Sequence, residues 1–284
     1  MTERKAEIRR LVKETSSLPT LPGIITRLSS LSESNKAGVR EMARIVSSDQ
    51  VLSARVLRLV NSPSYGFYRV STISNAMILL GVDVIKSLAL SSSIFEIMEE
   101  HVVGLWEHSL GCGVAANIIA RRLNIPEIEE ISTAGLLHDI GKVIIKIRFE
   151  EEYEQLYTVM SDKKITMLEA ERELMETDHA EVGEILARSW NLPDKLVEPV
   201  ACHHEPERSN IHLQKTAVVH LADIMVKAAG FGFSGDEFVP QISPVVWDKL
   251  GLNEQLLGEI AEELEERLFE VKNFSLEIQS ADGA

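Results

Sequence analysis

The hydrophobic residues of this chain recur at helical spacing from one end to the other. Near the N-terminus the spacing is carried by Ile24, Ile25, Leu28 and Leu31. Near the C-terminus it is carried by Leu257, Ile260, Leu264, Leu268 and Val271. Apolar residues three and four positions apart lie on one face of a helix, whereas the alternation typical of strands is weak throughout the sequence. The pattern predicts an all-α fold with short loops.

The sequence changes character near residue 100. Residues 1–100 are predicted to form an N-terminal helical part without catalytic features, and residues 101–284 a second helical part. In the second part, helices are predicted at 105–123, 131–146, 179–190, 194–204 and 211–229, with a last helix near the C-terminus. Thr166 with Glu169, and Asp178 with Glu181, have the spacing of a capping box at a helix start.

The apolar segment 131–146 is the one around which the second part is organised. If it is one continuous helix, each residue turns by about 100°, so that His138, Asp139 and Lys142 share one arc. Gly135 falls within the same arc and leaves room there. Ionisable groups in such apolar surroundings are costly unless a charged group compensates them. A metal ion is one such compensator.

Composition excludes several classes of protein. The chain has 284 residues and a formal net charge of −15, a field that repels nucleic acid and anionic membranes. Its two cysteines, Cys112 and Cys202, form no C-x-x-C pair, which is typical of a reducing compartment. The charged N-terminus lacks the apolar core of a secretory signal, and no apolar run approaches the length of a membrane span. We therefore expect a cytoplasmic protein without direct nucleic-acid binding.

Seven of the eight histidines follow Glu107. Taken singly, each has an ordinary explanation: a histidine in a first turn, in a capping region, at a surface or at a helix C-terminus. Asp223 could pair with Lys227 one turn later, as exposed helix charges often do. His101 and His212 are interpreted as surface residues, His220 remains ambiguous, and Cys202 is interpreted as a small core residue.

The order of these residues favours a common role. His108, the pair His138-Asp139, His179, the pair His203-His204, and Asp223 follow one another in the sequence. This order resembles the HD superfamily of metal-dependent phosphohydrolases, in the forms that hold two metal ions. The resemblance implies a helical bundle and assigns these seven residues as metal ligands.

A narrower resemblance comes from short motifs in both parts of the chain. In the first part these are LPTLP at 18–22, IVSSD at 45–49, LRLVNS at 57–62, Tyr65-Gly66 and AMILLG at 76–81. HAEVG at 179–183 and HHEP at 203–206 follow in the second part. Together they are similar to the HDOD (HD-related output domain) family over about residues 15–230. The family implies a signalling output module, and many of its members have lost the HD ligands, whereas this chain retains all of them. No Gly-Tyr-Pro follows His203-His204-Glu205, which argues against the cyclic-di-GMP hydrolysis of the HD-GYP branch.

The ligand set implied by the resemblance has its own chemistry. Seven nitrogen and oxygen donors without a thiolate favour iron or manganese, with nickel and zinc as alternatives. One ion would take His108, His138, Asp139 and Asp223. A second would take His179, His203 and His204, with Asp139 as the bridge because a carboxylate offers two oxygens. Lys142 would stabilise charge that develops on a phosphoryl group beside the catalytic Asp139, or would simply pair with Asp139.

Two function classes remain open at this point. The first and favoured one is a signal-transduction module whose metal site is structural or sensory and which binds a signalling protein. The second is a metal-dependent phosphohydrolase acting on a nucleotide or another phosphate-containing small molecule. Tyr65, Phe67 and Tyr68, which lie between predicted helices, are candidates for docking a partner or for capping the core. Sequence leaves the substrate, partner, metal and oligomeric state open.

Overall fold

The computed structural model describes residues 3–15, 72, 102–190 and 192–282. The chain divides into two compact units, one made of Met1–Thr15 with Met98–Ala284 and the other of Ser16–Ile97. The helices predicted between residues 16 and 98, and with them Tyr65, Phe67 and Tyr68, lie outside the described residues, as does His101.

Within the described ranges every regular element is a helix, which confirms the all-α prediction. In chain order these are α1 (Glu3–Thr15), α2 (Leu105–Arg122), α3 (Ile128–Leu137), α4 (Ile140–Arg148), α5 (Glu150–Lys163), α6 (Met167–Met175), α7 (His179–Ser189), α8 (Asp194–Cys202), a 3-10 turn (Pro206–Arg208), α9 (Leu213–Ala228), α10 (Pro244–Leu250) and α11 (Glu254–Asp282).

The hydrophobic core lies between α2, α9 and α11. Ile119 of α2, Leu221 of α9 and Ile260 of α11 are completely buried in one cluster. The apolar periodicity of α9 and α11 predicted these inward faces. This core fixes α2 and α9, and both helices carry candidate ligands.

The predicted continuous helix at 131–146 is wrong in one respect, because the chain forms two helices there. Helix α3 ends at Leu137 and α4 begins at Ile140. Asp139, with φ −98° and ψ 7°, leaves the helical conformation at the junction. Neither a proline nor a glycine marks this break in the sequence, so periodicity could not locate it. As a result, His138 and Asp139 occupy a turn rather than successive steps of one helix.

The space beside Gly135 is also filled differently from what the sequence predicted. A β-carbon at Gly135 would lie 2.8 Å from the backbone oxygen of Cys112 and 3.2 Å from the β-carbon of Ala116. The glycine therefore allows α3 to pack closely against α2, and it does not leave room for a metal ion.

Of the two predicted capping boxes, one is complete and the other forms only one of its two hydrogen bonds. At α6, Thr166 Oγ1 accepts a hydrogen bond from Glu169 N at 3.2 Å, and Thr166 N donates to the Glu169 carboxylate at 2.8 Å, which confirms the box. At α7, Asp178 accepts from Glu181 N at 2.8 Å, but the Glu181 carboxylate turns to Lys5 of α1, 3.2 Å away. The second box is half formed, and its acid instead holds α1 against α7.

Among the helices in the described part of the chain, none combines the length and the apolarity that crossing a membrane requires.

Candidate metal centre

Helix α2 brings two potential ligands to one face. His108 and Cys112 are four residues apart, a spacing that stacks side chains on the same side of a helix. Both side chains are buried. His108 Nε2 lies 3.1 Å from Asp223 Oδ1 of α9 and 3.5 Å from Cys112 Sγ. The first turns of α2 and the middle of α9 therefore form one side of the site.

The turn between α3 and α4 supplies His138 and Asp139. His138 Nδ1 lies 2.7 Å from the carbonyl oxygen of Gly135. A carbonyl oxygen can only accept, so Nδ1 carries a proton and donates it. In the neutral ring the lone pair is then on Nε2, which faces the interior of the site.

The same device orients the histidines of α7 and α8. His203 Nδ1 donates to the carbonyl oxygen of Val200 at 2.8 Å. His179 Nδ1 lies 2.6 Å from Glu171 Oε2, and the same oxygen accepts from His179 N at 2.9 Å. Metal-binding histidines characteristically use their second nitrogen in this way, because the bond fixes the tautomer and the ring orientation.

The ligand atoms fall into two adjacent groups. Within each group all atoms lie within 4.8 Å of one another; the first group is His108, Cys112, His138 and Asp223, and the second is Asp139, His179, His203 and His204. Asp139 faces both groups, since its Oδ2 lies 3.3 Å from His138 Nε2 and its Oδ1 lies 3.2 Å from His179 Nε2. The structure thus brings all seven predicted residues to one place, with Asp139 between the two groups.

Four of these atoms are unsatisfied in a way that fits a bound cation. His138 Nε2, Asp139 Oδ1, His203 Nε2 and Asp223 Oδ1 are buried and have no hydrogen-bond partner among the described residues. Leaving a buried polar atom unpaired typically costs about 1–3 kcal/mol. His179 Nε2 and His204 Nε2 also approach to 2.7 Å, so that one of these two nitrogens donates a proton to the lone pair of the other. Ions accepting these lone pairs would satisfy the site.

The electrostatic field of the site favours positive charge. Burial alone would raise the pKa of Asp139, but the charges of His138 and Lys142 hold that pKa well below its ordinary value. Burial lowers the pKa of His138, yet the carboxylates of Asp139 and Asp223 more than offset this and raise the pKa to about 9, so that a bound cation would displace a proton from Nε2. Burial and neighbouring imidazoles hold the pKa values of His203 and His204 well below the ordinary range, so both rings are neutral and can donate lone pairs.

Buried Lys142 and largely buried Lys227 each pair with the Oδ2 atom of one carboxylate. Lys142 Nζ donates to Asp139 Oδ2 and to the carbonyl oxygen of Ser234, both at 2.6 Å. Lys227 Nζ lies 3.2 Å from Asp223 Oδ2. The ion pairs considered as alternatives for Lys142 and Asp223 are therefore present. They leave Asp139 Oδ1 and Asp223 Oδ1 directed into the site.

Three residues near the site were not identified as functional from the sequence. Cys112 lies four positions after His108, a spacing that could have been recognised. Glu171 gives no sequence signal, because it lies on the preceding helix, eight residues before His179. His220 donates from Nδ1 to the carbonyl oxygen of His203 at 2.6 Å and accepts from Ser243 N at 3.1 Å, so it supports the His203 backbone rather than facing either group.

An all-helical chain that gathers His, His-Asp, His, His-His and Asp into one buried cluster has the arrangement expected of the HD class. The family model of the HDOD domain matches residues 18–206. The chain therefore belongs to the HDOD domain family. The match ends before Asp223, which the structure nevertheless places beside His108.

Solved structures support the same fold. An HDOD domain protein of unknown function from Geobacter sulfurreducens is 31% identical, with a TM-score of 0.76 over 95% of this chain and 97% of that chain. A signal transduction protein from Marinobacter aquaeolei is 21% identical, with a TM-score of 0.77 over 95% of this chain and 64% of the other. A Shewanella amazonensis protein described as a phosphohydrolase is 24% identical, with a TM-score of 0.68 over 90% and 93% of the two chains. The last two show the fold alone.

Curated relatives are longer than this chain. An uncharacterised protein of Treponema pallidum is 24% identical over 192 residues, which make up 66% of this chain and 37% of that protein. Ribonuclease Y of Geobacter metallireducens is 28% identical over 121 residues, 43% of this chain and 18% of the enzyme.

Proposed function

We propose that the chain is a signal-transduction output module of the HDOD family whose second part holds a two-metal centre. The observation that carries this proposal is the pair of adjacent ligand groups with inward-facing, unpaired donor atoms. The first ion would be held by His108, His138 and Asp223, and the second by His179, His203 and His204. Asp139 would contribute to both.

The chain's own residues prepare this centre. Carbonyl oxygens and Glu171 hold three imidazoles with Nε2 inward, and the two lysines pair with the Oδ2 atoms of Asp139 and Asp223. Bound divalent ions would supply Lewis acidity and a water of lowered pKa. The prevalence of nitrogen and oxygen donors in the second group favours iron or manganese there.

Burial supports a structural or sensory role over catalysis. Six of the seven predicted ligands are at most 3% exposed; they are His108, His138, Asp139, His179, His203 and Asp223. A phosphoester substrate needs an open ligand position that it can reach. A closed centre instead stabilises the fold around it and can report the metal supply to a partner. We place the protein in the cytoplasm and propose a signalling protein as its partner.

One observation favours phosphohydrolase activity as a second candidate. His204 is only half-buried, so the second group reaches towards the surface at that residue. Lys142 also lies beside Asp139, where it could stabilise phosphoryl charge. Similarity in fold to a protein called a phosphohydrolase, and in sequence over 121 residues to ribonuclease Y, also supports this candidate.

Hydrolysis assays separate the two candidates. The full chain, loaded with manganese or iron, is incubated with bis(p-nitrophenyl) phosphate, nucleotides and a cyclic dinucleotide. The module proposal predicts no turnover above that of the His203→Ala/His204→Ala variant. A wild-type rate at least about 100-fold higher, the loss typical when a catalytic electrostatic group is removed, would replace it by the hydrolase.

In parallel, Phe67→Ser/Tyr68→Ser should abolish binding to a cross-linked signalling partner while metal content is unchanged, and the histidine variant should have the smaller effect on binding.

A further inference from the structure

Cys112 occupies a position that the predicted ligand set does not include. Its side chain is completely buried, one helical turn after His108. Its Sγ lies 3.5 Å from His108 Nε2. The sulfur also lies within 4.8 Å of the ligand atoms of His138 and Asp223.

We propose that Cys112 supplies a sulfur ligand to the first metal ion, so that the two ions of the centre have different donor sets. This inference rests on the proposed metal centre. The first ion would have two nitrogens, one sulfur and one oxygen. The second would have three nitrogens and one oxygen.

The hydrogen bond between Lys142 and Asp139 supports a fourth ligand for the first ion from a residue other than Asp139. The Asp139 oxygen that faces the first group is Oδ2, and it already accepts from Lys142 Nζ at 2.6 Å. The distance from Oδ2 to His108 Nε2 is 3.7 Å, longer than the 3.5 Å between Cys112 Sγ and the same nitrogen. Asp223 Oδ1 and His138 Nε2, in contrast, have no hydrogen-bond partner in the described part of the chain. Cys112 completes a set of four without breaking the lysine bond.

The ordinary explanation of a buried cysteine is a small core residue. Cys112 does pack in the core cluster with Ala115 and Ala116. Its sulfur, however, points out of that cluster to an imidazole nitrogen that also contacts a carboxylate. The other cysteine, Cys202, belongs to neither ligand group among the described residues. Both cysteines are buried, and Cys112 differs from Cys202 because its sulfur is directed towards His108.

Coordination by Cys112 needs no oxidant or reductant. The S–H bond is replaced by a sulfur–metal bond, and the proton leaves to solvent. The thiolate and Asp223 then balance the charge of a divalent ion.

Thiolate donors select softer ions such as zinc, whereas imidazole and carboxylate also accept iron and manganese. Four protein ligands leave no open position, as in structural zinc sites. The centre would therefore combine a closed site that prefers zinc with a site of nitrogen and oxygen donors.

Cobalt substitution tests the sulfur ligand. The full chain is stripped of metal and titrated with Co²⁺, while bound cobalt is counted by elemental analysis. We expect a thiolate-to-cobalt charge-transfer band in the near ultraviolet that saturates with one ion per chain. Cys112→Ser should lose the band and still bind cobalt, and the matched control Cys202→Ser should keep it. X-ray absorption of the wild type loaded with one equivalent of zinc should show a sulfur neighbour at about 2.3 Å, a result that requires no variant.

The outcomes separate this inference from the proposed function. Cobalt bound in the wild type without the band, or a band lost only in Cys202→Ser, would overturn the role of Cys112 and leave the metal centre intact. Zinc with only nitrogen and oxygen neighbours would do the same. A wild type that binds no cobalt and no zinc would overturn both.

Discussion

Asp139→Ala is expected to reduce the affinity for the second metal ion by more than about 100-fold and the affinity for the first by about 10–100-fold, the usual cost of losing a residue that only supports a ligand. Asp139 faces both groups, with Oδ2 at 3.3 Å from His138 Nε2 and Oδ1 at 3.2 Å from His179 Nε2. The substitution also leaves buried Lys142 without its carboxylate partner. Competition for metal against a chromogenic chelator measures both affinities.

Two further variants control this experiment. Asp139→Asn keeps the shape of the side chain and one of its oxygens, so it should fold like the wild type while losing metal affinity. Asp162→Asn removes a carboxylate from an exposed position of α5 and should leave metal binding unchanged. Wild-type affinity for both ions in Asp139→Ala would show that this carboxylate does not belong to either site.

Gly141→Ala is expected to destabilise the fold by about 3 kcal/mol, the upper end of the usual cost of overpacking. A β-carbon on Gly141 would lie 1.9 Å from the backbone oxygen of His179 and 2.8 Å from the backbone nitrogen of Gly183. Backbone atoms cannot rotate away, so α4 and α7 must separate. This movement draws His179 from Asp139, and the second ion should be lost as well. At 2–4 °C per kcal/mol, the melting temperature should fall by about 10 °C.

Gly258→Ala provides the matched control. Gly258 lies exposed on α11, and a β-carbon there meets no atom within 4 Å. Alanine in an exposed helix is more favourable than glycine by about 0.5–1 kcal/mol, so this variant should be slightly more stable than the wild type. Equal stability of Gly141→Ala and the wild type, with metal content preserved, would contradict the close crossing of α4 and α7.

The fold was predictable wherever one apolar stripe follows one helix. The stripes of α9 and α11 predicted both the helices and their buried faces. Helix α5 gave a weak signal, since only Tyr153 and Leu156 of its residues are buried. The break between α3 and α4 gave no signal, because ordinary residues form it and the apolar pattern continues across it.

The candidate site was predictable as a set of residues and not as a geometry. The order of histidines and aspartates identified seven side chains, which the structure brings together. Which carboxylate oxygen meets which histidine depends on a turn between two helices. The contacts of Glu171 and His220 depend on packing between helices, and so does the approach of Cys112 to His138 and Asp223. Periodicity within one helix carries no information about such contacts.

The metal content of the reconstituted full chain tests the central claim most directly. The protein is stripped with a chelator, reloaded with zinc and then with manganese or iron, freed of unbound metal, and analysed by mass spectrometry of the elements. The two adjacent ligand groups predict two ions per chain, with zinc retained in the first site. A chain that holds no metal after this treatment would contradict the metal centre, and a firm limit of one ion would contradict its dinuclear form.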